Sequence, residues 1–192
     1  MNNSLLNDGD IFNQEFIEDF ENLELFNKSI GNTKFKKSSF LNTTFENIVL
    51  NHVEFLGVDL SNVTFTNCGL HNCLFIDCKM VGTSYSDCTI KNTKYQESVM
   101  KYVSFSYCRL TTTQVNDSDM TEARFQDLKL THFTLENVNL NKVEFNMVAL
   151  HGMDLSTCQI ENLLIDPKYL RGVILSYDQM IYLAPLLGIK IK

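Results

Sequence analysis

Six cysteines, four histidines and a set of regularly spaced acids are the residues of this 192-residue chain with the types and spacing to do chemistry. The cysteines are Cys68, Cys73, Cys78, Cys88, Cys108 and Cys158, and the histidines His52, His71, His132 and His151. Thiolates and imidazoles can hold zinc when four donors converge tetrahedrally, and thiols can pair when their Cβ atoms converge to about 3.8 Å. No histidine is placed beside a plausible nucleophile, and the sequence has no glycine-rich phosphate loop, HExxH or CxxC motif, so catalysis is not expected. The acids Glu54, Asp77, Glu97, Asp117, Glu136 and Asp154 recur at intervals of about twenty residues. A carboxylate ladder of that kind is either a solvated face or an imitation of the charged nucleic-acid backbone, which carries one charge per ~1.7 Å of duplex axis.

The spacing decides between these chemistries. All six cysteine numbers differ by multiples of five, and five is the period of most of the chain. Every fifth residue from Phe35 to Ile165 is Phe, Leu, Met, Tyr, Ile or Val, which makes 27 positions without a polar residue. At 44% apolar composition the odds of that by chance are about one in 10^9 to 10^10. Two residues before each large position, the side chain is usually Ala, Cys, Ser, Thr or Val. Two residues after it stand turn formers such as Asn42, Asn47, Gly57, Asn62, Asn67, Asn72 and Asp77. Neither the 3.6-residue period of a helix nor the period of two of a strand accommodates this pattern. A coil with straight sides five residues long does.

The large residues repeat in kind at a spacing of twenty, which gives four sides per coil. Side 1 is centred on Phe45, Phe65, Tyr85, Phe105, Phe125 and Phe145, and side 2 on Leu50, Leu70, Ile90, Leu110, Leu130 and Leu150. Side 3 is centred on Phe35, Phe55, Phe75, Tyr95, Val115, Leu135 and Leu155, and side 4 on Leu60, Met80, Met100, Met120, Leu140 and Ile160. The expected fold is an all-β solenoid, a quadrilateral β-helix over 31–165, with nearly seven coils and a length of roughly 30–35 Å at ~4.8 Å per coil.

In that frame the cysteines all fall in the small inward phase. Cys68, Cys88 and Cys108 stack in one column with parallel Cβ vectors, so buried thiols acting as small hydrophobes are expected, with no metal, cofactor or disulfide. The histidines project from side 2 beside Lys91, Arg109 and Lys129. Of these, His52 and His71 lie on successive coils, but no carboxylate or thiolate is there to complete a metal site. The acids Glu54, Asp77, Glu97, Asp117, Glu136 and Asp154 project from side 3, one on each of six coils. Over 31–165 the chain has 14 acids against 11 bases, net −3.

The whole chain carries a net charge of −7, which argues against a nonspecific binder of nucleic acid or of an anionic membrane. No apolar run reaches the ~18 residues of a membrane span. The N-terminus has acids where a signal peptide has lysines, so no leader is expected. Residues 1–27 hold seven acids and no base, and 1–30 are expected to form an amphipathic cap over the first coil; the alternative is that the coil itself begins there, since Phe20, Leu25 and Ile30 keep the five-residue phase. The tail, 166–192, breaks phase. There Ser176-Tyr177-Asp178-Gln179 has the form of a capping box, opening a short C-terminal helix. Met180, Leu183 and Leu187 are expected to cover the open coil, leaving Ile181, Leu186 and Ile189 for a partner.

Units such as Val58-Asp59-Leu60, Ser118-Asp119-Met120, Val138-Asn139-Leu140 and Met153-Asp154-Leu155 resemble the pentapeptide-repeat family, which implies a right-handed quadrilateral β-helix. The tail segments Ile165-Asp166-Pro167, Gly172-Val173 and Leu183-Ala184-Pro185-Leu186-Leu187-Gly188-Ile189 resemble the quinolone-resistance (Qnr and MfpA-like) subgroup. That resemblance implies a cytoplasmic homodimer joined through its C-terminal helices, in which Met180, Ile181, Leu183, Leu186, Leu187 and Ile189 serve as dimer residues. It also implies a mimic of B-form DNA that binds the type II topoisomerases DNA gyrase and topoisomerase IV and gives protection from quinolones or other poisons. This chain departs from some members in having no loop insertion between coils. A pentapeptide-repeat scaffold for another protein partner is the alternative, because the repeat itself specifies a shape and no ligand.

Overall fold

The five-residue unit folds as its pattern requires. In Thr64-Phe65-Thr66 the phenylalanine is fully buried between two partly exposed threonines, and the same three-residue strand recurs coil after coil. Most strands end at a residue in the left-handed region, as at Asn47 (φ 54°), Asn67 (φ 51°) and Asp77 (φ 52°). Asn and Asp tolerate that conformation because their side chains bond locally to the backbone. The computed structural model describes residues 9–190.

Side 1 is an eight-stranded parallel sheet running from Glu24–Phe26 to Leu164–Ile165, so the rod has eight coils. Sides 2 and 3 join into one twelve-stranded sheet, because strands Ser29–Lys36 and Val49–Leu56 run round the corner between them. Side 4 is held by single bridges such as Asp59↔Lys79 and Val99↔Asp119. The register is twenty residues, with Phe65, Tyr85 and Phe105 directly above one another. Seven steps of ~4.8 Å make the rod about 34 Å long.

The core is columnar. On side 1 the rings of Phe45, Phe65, Tyr85 and Phe105 stack at 4.8, 4.8 and 4.6 Å between centroids. On side 3 those of Phe55, Phe75 and Tyr95 stack at 4.8 and 4.7 Å. The small inward residues bond to the coil beneath: Thr83 Oγ1 donates to the Leu60 carbonyl at 2.8 Å, and Cys78 Sγ to that of Phe55 at 3.3 Å. At the corners asparagines form ladders, Asn67 Nδ2 to Asn47 Oδ1 (2.7 Å) and Asn47 Nδ2 to Asn27 Oδ1 (3.0 Å). These ladders fix one coil over the next.

Both ends differ from the sequence expectation. The described part of 1–30 is a coil of the solenoid and no separate cap. Ile11 pairs with Ile30 and Phe16 with Phe35, and the Phe16 ring stacks on Phe35 at 5.3 Å. The offset there is nineteen, because only three residues lie between Phe16 and Phe20 where the period has four, which displaces the phase. Asp10 and Asp19 close this edge by accepting hydrogen bonds from the Ser29 and Ser39 amides, both at 2.7 Å.

At the other end, pairing continues past 165 through Asp154↔Ile174. The helix is a single turn, Met180–Leu183, followed by a 3-10 turn, Ala184–Leu187, and Gln179 rather than Ser176 is its N-cap. Gln179 does reach back, its Oε1 accepting from the Ser176 amide at 2.8 Å. Its Nε2 donates to the carbonyls of Leu155 (2.7 Å) and Cys158 (2.6 Å), tying the turn to the last coil. Leu183 is buried and Leu186 partly so, while Met180 is exposed. The expected roles of Met180 and Leu186 are therefore exchanged. The side chain of Leu187 lies outside the described structure, and Ile189-Lys190 is not a strand.

Candidate functional site

The six acids do share side 3, but they do not form one column. Asp77, Glu97 and Asp117 stand one above another on the corner after the side-3 strand, all left-handed at φ 52°, 53° and 48°. Their coils are ~4.8 Å apart, and all three are exposed. Glu136 lies just inside this corner on the next coil, where the corner residue Asn137 donates from Nδ2 to Asp117 Oδ1 at 3.0 Å. Gln96 steadies Glu97 through an Nε2 bond to Oε1 at 2.9 Å. Glu54 and Asp154 sit on the opposite edge of the side.

Glu54 is neutralised by Lys34, Nζ to Oε2 at 2.9 Å. Lys36 and Lys37 share its end of side 3, and Lys36 pairs with Glu15 at 2.9 Å. The Ser156 hydroxyl, and after it the Ser156 amide at 2.9 Å, hold the Asp154 carboxyl below the usual range. Among the described residues Asp77, Glu97, Asp117 and Glu136 make no ion pair. The uncompensated ladder is thus shorter than the sequence suggests and runs from Asp77 to Glu136. Spacing by twenty placed these acids on one side. The lysines one coil earlier were the signal that Glu54 is compensated.

The other sides differ in charge. On side 4 and the corner beyond it, Lys79 pairs with Asp59 (2.9 Å), Lys101 with Asp119 (3.3 Å) and Lys142 with Glu122 (3.5 Å). For Asp59 and Asp119 partial burial works upward but is outweighed by hydrogen bonds from Ser61 and Lys79, and from Thr121 and Lys101, so both carboxyls lie below the usual range. Exposed pairs of this kind add little stability, but they cancel charge. Side 2 has no acid and displays Lys91, Arg109 and Lys129 with the four histidines. His71 folds across Gly69, and His151 Nδ1 lies 3.1 Å from the Arg171 carbonyl oxygen.

All six thiols are buried and free. Burial pushes Cys73 and Cys78 up to about 12. Cys88 is pushed up by its thiol neighbours Cys108 and Cys68, together with burial. Among the described residues no three His, Cys, Asp or Glu side chains group to hold a metal.

Two family models match this architecture. One, described as pentapeptide repeats (8 copies), covers residues 31–67, and the other, a pentapeptide repeat region, covers 68–145. The chain belongs to the pentapeptide-repeat family. No curated protein sequence matches it. Among solved structures, a trypsin-treated variant of QnrB1, a plasmid-mediated fluoroquinolone resistance protein, aligns over 96% of this chain and 99% of its own at 16% identity and a TM-score of 0.48. Full-length QnrB1 aligns over 93% and 100% at 15% identity and a TM-score of 0.38. HetL, a pentapeptide-repeat protein involved in heterocyst differentiation regulation in the cyanobacterium Nostoc, aligns over 88% and 87% at 14% identity and a TM-score of 0.29.

As in any pentapeptide-repeat solenoid, the ends are the places where the pattern stops hiding apolar surface. The C-terminal end exposes Ile174, Tyr177, Met180, Ile181, Tyr182 and Ile189, with Tyr177 93% accessible. A groove of about 300 Å³ opens beside them, floored by Leu170, Val173, Leu175 and Leu183. Two features escaped the sequence reading: Tyr102 and Tyr107 are exposed on successive corners at φ 59° and 57°, positions that most often take Asn, Asp or Gly. Their place in the corner phase was the available signal. Among the described residues no helix is long and apolar enough to cross a membrane.

Proposed function

We propose that this pentapeptide-repeat protein is a DNA mimic that binds a type II topoisomerase, DNA gyrase or topoisomerase IV, in the cytoplasm and protects it from quinolones or other poisons. The observation that carries this reading is the unpaired carboxylate ladder Asp77, Glu97, Asp117 and Glu136 on a straight rod without protruding loops. Its likeness to a DNA edge is one of shape and sign, since one charge per ~4.8 Å coil is sparser than one per ~1.7 Å of duplex. The tail resemblance to the quinolone-resistance subgroup supports the same reading. In it, the exposed apolar end with Met180, Ile181 and Ile189, beside the partly buried Leu186, joins two copies, so that two ~34 Å rods present a longer charged length than one DNA turn. The test is gyrase supercoiling with and without ciprofloxacin, alongside direct binding of wild type and of the Glu97→Lys, Asp117→Lys, Glu136→Lys variant. A scaffold role for another protein partner is favoured instead by the compensation of Glu54, Asp59, Asp119 and Glu122 by lysines, which weakens the overall field.

A further inference from the structure

Side 2 is the electrostatic complement of side 3. On six successive coils it carries a basic or protonatable side chain, in order His52, His71, Lys91, Arg109, Lys129 and His151, and it carries no acid. The cations on the two sides of the molecule are treated differently. Lys79, Lys101, Arg124 and Lys142, on side 4, side 1 and their corner, all reach a carboxylate. Lys91, Arg109 and Lys129 are exposed, and among the described residues none of them makes an ion pair. A protein of net charge −7 therefore keeps three cations without an ion pair on one flat side, with Asp87 and Asp127 on the corner beside Arg109 and Lys129, and carboxylates without an ion pair on the adjacent side. Both ladders have the pitch of the sheet that carries them, so a cation on one rod falls level with an acid on another for several coils in succession.

We propose that side 2 docks against side 3 of a second copy of this chain, with the rods parallel and side by side. With the four equal sides arranged as a square, sides 2 and 3 meet at a right angle. Each copy is then turned by a quarter turn relative to its neighbour, and the head-to-tail contact closes on itself as a ring of four. The corner shared by sides 2 and 3 lies on the ring axis. Arg109 and Lys129 precede their strand centres on side 2 and so lie far from that corner. Glu97 and Asp117 follow theirs on side 3 and also lie far from it, as does Glu136 just inside. The outer half of each contact therefore sets Arg109 and Lys129 against Glu97, Asp117 and Glu136. Lys94, nearer the axis, is the one cation on those coils of side 3 and opposes the contact, and so do Asp87 and Asp127, which stand on the outer corner of side 2 beside Arg109 and Lys129. Five residues across and six coils along give about 400 Å² per face, below the ~800 Å² per partner of a standard interface. The association is accordingly weak and sensitive to salt. It does not depend on which partner the acidic side serves.

The test is sedimentation velocity of the full chain at sub-millimolar concentration in about 20 mM and about 300 mM salt, which lengthen and shorten the screening distance. Two charge-reversed variants are compared, Lys91→Glu, Arg109→Glu, Lys129→Glu and Glu97→Lys, Asp117→Lys, Glu136→Lys, with circular dichroism to confirm that each is folded. Wild type gains mass at low salt, towards four times its high-salt value. Each variant alone stays at its high-salt mass, and an equimolar mixture of the two regains the gain, because each then meets opposite charge on both sides. A wild-type mass independent of salt, a gain that saturates at twofold, a variant that associates alone, or a mixture that does not regain the gain overturns the proposal. Should a triple variant fail to fold, the wild-type salt series and the single, exposed Arg109→Glu decide it, the single variant giving a smaller gain than wild type.

Discussion

Tyr85 and Tyr95 offer the sharpest test of how the core is held together. Tyr85 stands in the side-1 column where the neighbouring coils place Phe65 and Phe105, and Tyr95 stands above Phe75 on side 3. Both are completely buried, and neither hydroxyl has a hydrogen-bond partner. Burial, followed by the nearby Tyr95 hydroxyl, pushes the Tyr85 phenol well above its ordinary value. An unsatisfied buried hydroxyl costs about 1–3 kcal/mol. The ring can stay in its stack when the oxygen is removed, so Tyr85→Phe with Tyr95→Phe should stabilise the protein by about 2 kcal/mol. For a chain of this size that raises the melting midpoint by roughly 4–8 °C. Urea unfolding of wild type, both single variants and the double variant completes a thermodynamic cycle. Two orphan hydroxyls predict additive gains. A cost for each single variant that the double variant recovers would mean that the two phenols bond to each other. A loss of about 1 kcal/mol or more in the double variant would refute the reasoning and point to a buried water between them.

Other consequences are more direct. Phe105→Ala should cost about 3–5 kcal/mol in urea unfolding, because it empties the middle of a stacked column, whereas Lys101→Asp, which loses only a half-exposed contact to Asp119, should cost about 1 kcal/mol or less; equal effects would contradict the phase assignment. The native protein should react negligibly with a thiol reagent and then release six equivalents on denaturation, since all six cysteines are buried and free; rapid labelling of Cys73 or Cys78 would mean those thiols are accessible.

The inside of this fold was legible in the sequence because the inside is periodic. A residue of the right size every five positions fixes which way each side chain points, and so the burial of the cysteines and the placement of histidines on side 2 followed from numbering alone. Residues 11–20 were not legible for a local reason: only three residues lie between Phe16 and Phe20 where the period has four, and the lost residue puts Ile11 and Phe16 out of phase although they pair with Ile30 and Phe35. The tail was half legible. A capping-box pattern identified Gln179 as the residue that reaches back, but the helix is too short for a heptad-like rule to say whether Met180 or Leu186 turns inward. The acidic side was legible as a set and not as a geometry. Spacing by twenty gives the side, while the position within the five-residue unit gives the column. That second index separates Asp77, Glu97 and Asp117 on the corner from Glu54 and Asp154 on the far edge. Compensation was the least visible feature, since Lys34 reaches Glu54 across a coil, twenty residues away.

The central claim is that the uncompensated carboxylates of side 3 face a type II topoisomerase. The most direct measurement is the affinity of immobilised DNA gyrase for the wild-type chain and for the Glu97→Lys, Asp117→Lys, Glu136→Lys variant, each over a range of salt concentrations. The account predicts wild-type binding that weakens as salt rises and a folded variant that does not bind. Wild-type affinity in the variant, or no wild-type binding at any salt concentration, would contradict it.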